Sequence, residues 1–81
     1  MKKIYKIESI FDKLGNVCER GKHRVGRKGF FHRLIVGESF LFISEDIGRV
    51  LESSRVLEIN ELEDKLEVKT RNSTYIFKEE E

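Results

Sequence analysis

The chain has 81 residues, 38% of them charged, and a formal net charge of +1. This length predicts one domain over residues 1–81 with one small core, and it leaves little material for a deep pocket as well. No run approaches the roughly 18 apolar residues of a membrane-spanning helix. The polar positions after Lys2-Lys3 do not fit a signal peptide, and the single Cys18 excludes an internal disulfide. We therefore expect a cytoplasmic protein that does not associate with membranes.

The small net charge hides an asymmetry between the two parts of the chain. Residues 1–33 contain ten Lys or Arg against three acidic residues, which gives +7, whereas residues 34–81 contain six against twelve, which gives −6. Either the two parts attract each other within the fold, or they form separate faces, one of which attracts a polyanion.

The N-terminal segment fits two patterns. Apolar residues between positions 4 and 14 recur at helical spacing, but residues 5–11 also alternate, and the segment is rich in Ile, Tyr and Phe. The sequence DKLGN (12–16) is typical of a hairpin turn with Gly15 in the positive-φ position. We predict a strand here, followed by a second strand at NVCER that buries Cys18 as a small hydrophobic residue.

The stretch Arg20–Arg33, the basic segment, contains six Lys or Arg and no acidic residue. Its glycines at 21, 26 and 29 allow close approach of a phosphate backbone, and its aromatic residues offer a platform on which a base can stack. We predict that the residues in contact with nucleic acid are Arg20, Lys22, Arg24, Arg27, Lys28, Phe31 and Arg33. The alternative is a solvated surface whose cations pair with the acidic residues of the second part, with the phenylalanines in the core.

The sequence VGRKGFFHRLI also resembles the G-x-x-G loop of KH domains. That resemblance implies Gly26–Gly29 as the clamp on a nucleic-acid backbone and a helix containing Leu34 and Ile35. A KH domain needs helices on both sides of this loop, whereas here Gly37 and a β-like run follow closely.

Two further segments predict strands joined by a tight turn. ESFLFIS (38–44) is a short apolar run. In SRVLEINELEDKLEV the apolar residues give a mixed helical and alternating pattern, and the β-branched residues together with the turn favour a strand. A turn at Glu63-Asp64 sets Ile59 opposite Val68 and Leu57 opposite Thr70.

The sequence KLEVKTRNSTYIFKE predicts a final hairpin. A two-residue turn at Asn72-Ser73 sets Val68 opposite Phe77 on the apolar face and Glu67 opposite Lys78 on the other. Short strands with turn signals about every ten residues predict an all-β fold. We expect five to six strands in a small antiparallel barrel or rolled sheet of SH3-like or OB-like size.

The stretches ESSRVLEI (52–59) and TRNSTYIF (70–77) resemble the end of small β-rich proteins of bacteria and their phages, which close with a T-x-N-S-x-Y-x-F hairpin. This resemblance implies a β fold and gives no site residue.

The candidates for catalysis or metal binding are Cys18, His23 and His32. They supply at most three ligands at a spacing that matches no compact zinc finger, and the paired carboxylates lie in turns or at the tail. We therefore expect no enzyme activity, no metal and no cofactor.

Two binding functions remain. The first is a non-catalytic module whose basic segment contacts nucleic acid or another polyanion. The alternative is a protein-interaction or inhibitor module with no nucleic-acid role, which binds a protein partner or a second copy of itself. The acidic second part, an outward-facing Ile76 and the resemblance to phage-encoded proteins favour this alternative.

Overall fold

The structure is a computed structural model that describes residues 3–45 and 48–80. It contains a short 3-10 helix at Glu19–Arg24 and six strands. The strands are β1 (Ile4–Asp12), β2 (Lys28–Arg33), β3 (Ser39–Ser44), β4 (Val50–Leu62), β5 (Lys65–Thr70) and β6 (Ser73–Glu80).

The six strands form a closed antiparallel barrel in chain order, with β6 paired to β1. The predicted all-β fold is confirmed. Because successive strands alternate in direction, the β1–β2, β3–β4 and β5–β6 connections lie at one end of the barrel. The β4–β5 turn and the start of β1 lie at the other end.

The N-terminal strand and its turn are confirmed. The Asp12 side chain accepts hydrogen bonds from the backbone N–H groups of Leu14 (2.9 Å) and Asn16 (3.0 Å). Gly15 has φ +88°, a conformation that favours glycine. The predicted second strand at NVCER is wrong, since a single bridge joins Phe11 to Val17 and the 3-10 helix then begins.

The turn between β4 and β5 places Ile59 opposite Val68, as predicted. The predicted partner of Thr70 is wrong, because the register shifts between Val56 and Glu58 and sets Val56 opposite Thr70. Val56 is therefore fully buried while Leu57 is exposed.

The final hairpin forms, but its register differs from the prediction by two residues. Val68 lies opposite Tyr75, and Lys78 lies opposite Lys65, not Glu67. The Thr70 hydroxyl closes the turn by donating to the Ser73 carbonyl and accepting from the Ser73 N–H. A shift of two residues keeps the same side chains on the inner face, so the buried set is unchanged.

The core fills the barrel with aromatic and branched side chains. The ring of Phe77 packs against that of Phe31 at 4.7 Å and that of Phe42 at 5.1 Å between centroids. The buried hydrophobic residues are Ile7, Ile10, Phe40, Phe42, Leu51, Val56, Leu66, Val68, Tyr75 and Phe77.

Candidate polyanion-binding surface

The basic segment is divided between two elements, the 3-10 helix and β2. Between them, the Gly26 N–H donates to the Ile7 carbonyl at 2.7 Å, and the Ile7 N–H donates to the Arg27 carbonyl at 2.9 Å. These bonds hold the connection against β1. No helix follows residues 26–29, because β2 begins at Lys28 and runs to Arg33, so the helical arrangement implied by the KH resemblance is absent here.

Gly29 is required by the packing of the barrel. A Cβ atom built on Gly29 would lie 2.0 Å from the carbonyl oxygen of Ile43 in β3, far inside van der Waals contact. This residue therefore permits two strands to approach closely, and its backbone is covered by protein.

The exposed cations of the basic segment have no acidic partner within residues 3–45 and 48–80. Arg20, Lys22 and Lys28 are exposed. The ion pairs in those ranges join Lys3 to Glu79 and Lys65 to Glu8, outside the basic segment. The expected pairing of the basic segment with the acidic second part is thus not found in these ranges.

The acidic residues of the second part are not all distant from the basic segment, since the Glu45 N–H donates to the Lys28 carbonyl at 2.8 Å. Several of them gather around a small cavity at the end of the barrel where β1 begins and β4 turns into β5. The β1–β2 connection lies at the opposite end. The charged residues that line this cavity are Lys3, Glu61, Glu63, Asp64, Lys65 and Glu79.

Arg24 is partly buried and lies beside Tyr75 of β6. Burial raises the pKa of the Tyr75 hydroxyl above its ordinary value, and the nearby positive charge of Arg24 lowers it in part. The interaction of Arg24 with Tyr75 therefore holds the 3-10 helix near the start of β6.

Two of the predicted contact residues take part in the fold itself. The Phe31 ring packs on four other aromatic rings of the barrel interior. Arg33 donates through Nε to the Ser39 carbonyl at 2.9 Å and through Nη2 to the Ser39 hydroxyl at 2.6 Å. The remaining cations of the candidate surface are Arg20, Lys22, Arg27 and Lys28. Arg24 is partly buried beside Tyr75.

The barrel also aligns lysines from four neighbouring strands. Lys28 lies opposite Lys6, Lys6 lies opposite Lys78, and Lys78 lies opposite Lys65. These four residues, the lysine row, extend the charge of the basic segment across the outside of the barrel. Neighbouring strands lie about 4.8 Å apart, so the row spans roughly 14 Å.

Like charges directly opposite each other destabilise a sheet. Within the described residues, one member of the row has an ion pair, since Lys65 donates to Glu8 at 2.7 Å. That hydrogen bond and the negative charge of Glu8 raise the pKa of Lys65 above its ordinary value. Lys6, Lys65 and Lys78 were not predicted, because the assumed hairpin register set Lys78 opposite an acidic residue.

Residues 3–45 and 48–80 contain no group of three or more His, Cys, Asp or Glu side chains placed to hold a metal ion. Cys18 is half-buried and packs against the core. In the same ranges, no helix is long and apolar enough to cross a membrane.

Comparison with known proteins gives no relative: no family model, no curated protein and no solved structure matches the chain.

Proposed function

We propose that the protein is a non-catalytic, cytoplasmic binding module that contacts nucleic acid through the basic segment and the lysine row. The observation that carries this proposal is the lysine row: Glu8 pairs with Lys65, but Lys28, Lys6 and Lys78 lie side by side with no ion pair within the described residues. Such an arrangement costs stability unless an anion neutralises it. The row continues from Lys28, the exposed cation at which β2 begins.

The contacts go to phosphates and not to base edges. Lysine is a point charge on a flexible stem, which suits phosphate oxygens of varied position. Phe31, the predicted stacking residue, is partly buried and its ring packs against the aromatic core. Because phosphate contacts carry no direct sequence information, we expect binding that depends on salt and little on sequence.

The test compares two double variants by fluorescence anisotropy with a labelled single-stranded oligonucleotide of random sequence. Arg20→Gln with Lys22→Gln removes two exposed cations of the 3-10 helix. Lys3→Gln with Lys69→Gln makes the same change in net charge at two exposed residues outside the basic segment and the lysine row.

We expect the first variant to weaken binding and to reduce the magnitude of the log–log salt slope by about 1.4, at roughly 0.7 per lost contact. We expect the control variant to change the slope much less. Equal effects of the two variants would show that net charge alone matters and would remove the assigned surface.

A second function, protein interaction, is favoured by one observation. Residues 57–62 of β4 pair with β5, and no strand pairing within the described residues covers their other side. Leu57 and Leu62 in this stretch are exposed. An uncovered strand edge with exposed apolar residues is suited to pairing with a partner strand, including that of a second copy.

Light scattering after size exclusion separates these functions. A dimer that forms without nucleic acid and is lost in Leu62→Lys would favour the second function. A monomer at all concentrations would count against self-association.

A further inference from the structure

A cleft of about 770 Å³ lies near the end of the barrel that carries the β5–β6 turn. Three separate parts of the chain contribute to it: the start of the β1–β2 connection, the middle of β4 and the β5–β6 turn. Its lining residues are Lys13, Ser54, Arg55, Leu57, Arg71 and Asn72. We call it the arginine cleft.

Backbone hydrogen bonds hold the two arginines of the cleft together. The Arg71 N–H donates to the Arg55 carbonyl at 2.9 Å. Next to it, the Asn72 N–H donates to the Ser54 hydroxyl oxygen at 3.1 Å. The β5–β6 turn is therefore fixed against β4, which places the backbone of Arg71 beside that of Arg55.

Lys13 is brought to the cleft by the turn after β1. Asp12 lies opposite Ser73 at the start of β6, which places the turn beside Arg71. The carboxylate of Asp12 accepts the N–H groups of Leu14 and Asn16. This acidic neighbour is thus engaged by the turn and forms no ion pair with Lys13.

The charges that meet in the arginine cleft are all positive. Three of its six lining residues are cations and none is acidic. Within residues 3–45 and 48–80, neither of the two ion pairs includes Lys13, Arg55 or Arg71. Three cations around one open cleft repel one another, and an anion placed between them relieves that repulsion.

We propose that the arginine cleft binds a phosphate group of a polynucleotide backbone. The planar guanidinium groups of Arg55 and Arg71 match a phosphate in a bidentate manner. The Ser54 hydroxyl accepts from Asn72, and its own hydrogen is available to a phosphate oxygen. Leu57 gives the cleft an apolar wall that a sugar can contact.

A polynucleotide is favoured over an isolated phosphate because the cleft and the β1–β2 connection lie at the same end of the barrel. The shorter dimensions of the molecule are 25 and 24 Å. Even at the duplex spacing of about 3.4 Å per phosphate, a strand of 20 nucleotides extends over roughly 68 Å, more than twice such a distance. One strand can therefore contact both the basic segment and the arginine cleft. This step depends on the proposed function, whereas phosphate binding by the cleft does not.

The first experiment uses Arg55→Gln with Arg71→Gln, again with Lys3→Gln and Lys69→Gln as the charge-matched control. In anisotropy with a 20-nucleotide single strand, we expect the cleft variant to reduce the magnitude of the salt slope by about 0.7, the contribution of the one phosphate that the two arginines share. Circular dichroism establishes that both variants fold. A cleft variant that behaves as the control does would overturn the proposal, even if the basic segment binds the strand.

The second experiment follows backbone amide resonances of the whole wild-type chain during titration with the same oligonucleotide and, separately, with inorganic phosphate. We expect the oligonucleotide to shift the Arg71 and Asn72 amides at lower concentration than inorganic phosphate does. These amides could shift in the wild-type chain while the Arg20→Gln, Lys22→Gln double variant binds the oligonucleotide as tightly as the wild type does. That result would support the cleft and count against the basic segment. Unshifted amides under saturating oligonucleotide would reject the cleft.

Discussion

Tyr75 links the core of the barrel to its basic end. Its ring is buried in the barrel, while its hydroxyl lies near the guanidinium group of Arg24. Burial raises the pKa of this hydroxyl above the ordinary value of 10.0. Because the folded-state pKa is the higher one, the unfolded chain loses this proton first as the pH rises.

We therefore predict that the free energy of unfolding decreases above about pH 10 and that Tyr75→Phe reduces part of this decrease. The pKa of Lys65 is also raised, from its ordinary value of 10.5, and this likewise decreases the free energy of unfolding at alkaline pH. It accounts for part of the decrease that remains in Tyr75→Phe. Thermal unfolding of the two proteins between neutral and alkaline pH measures the effect. An identical decrease in both would contradict it.

Arg24 provides an independent check on this contact. Its positive charge lowers the pKa of Tyr75, so Arg24→Gln is expected to move the tyrosinate absorbance transition of Tyr75 to higher pH. The transition that disappears in Tyr75→Phe identifies the residue. A transition that stays in place or moves to lower pH would show that Arg24 does not approach the hydroxyl.

Two residues of the basic segment illustrate that residue types alone do not show which residues of a segment take part in packing. Phe31 and Gly29 have the residue types expected of a stacking side chain and of a close backbone approach. The Phe31 ring is partly buried and packs against the aromatic core, and Gly29 allows β2 to approach the Ile43 carbonyl. Both roles depend on contacts with other strands, such as that of Gly29 with Ile43 and that of Phe31 with Phe77, which local sequence patterns do not show.

At the scale of elements, the strands and their faces follow from the alternation of residues. The period of two in β5 and β6 identifies their buried side chains whether the turn is placed at residues 71–72 or 72–73. The register of the β5–β6 hairpin, which determines the residues that lie opposite each other, does not follow from this alternation. The prediction relied on a positive φ at Asn72, whereas the turn is closed by the hydroxyl of Thr70 and Asn72 has no positive φ.

The register determines which charges meet, and it yields a prediction about the lysine row. Lys78 lies between Lys6 and Lys65, so Lys78→Glu replaces two repulsions with two attractions. We expect the free energy of unfolding to increase by a few tenths to about 1 kcal/mol, while affinity for nucleic acid decreases. Urea unfolding and anisotropy measure the two effects.

Lys69→Glu is the control for this prediction. It makes the same change in net charge on β5, but Lys69 lies opposite Glu58, so stability is expected to decrease. A stability loss in Lys78→Glu equal to that of Lys69→Glu would contradict the assigned register and the cost of the lysine row.

At the scale of the whole molecule, the barrel keeps the basic segment apart from the acidic residues around the β4–β5 turn, where Lys3 and Lys65 are the neighbouring cations. The basic segment lies at the end of the β1–β2 connection, and acidic residues around the β4–β5 turn lie at the other. The sequence shows the imbalance between residues 1–33 and 34–81, but it does not show whether the two sets meet. That depends on the order of strands around the barrel.

The cationic surfaces themselves require the closed barrel. Lys6 and Lys78 become neighbours because β6 pairs with β1, and Arg55 and Arg71 because the β5–β6 turn is bonded to β4. These residues are distant in the chain, so local patterns do not connect them. The basic segment, by contrast, was visible in the sequence because its charges are contiguous.

The most direct test of this account is the salt dependence of binding between the wild-type protein and random single- and double-stranded DNA and RNA, measured by fluorescence anisotropy. The account predicts binding at low salt and a linear log–log decrease with a slope steeper than about −2, which corresponds to three or more phosphate contacts. Absence of binding at low salt, or an affinity that does not change with salt, would contradict it.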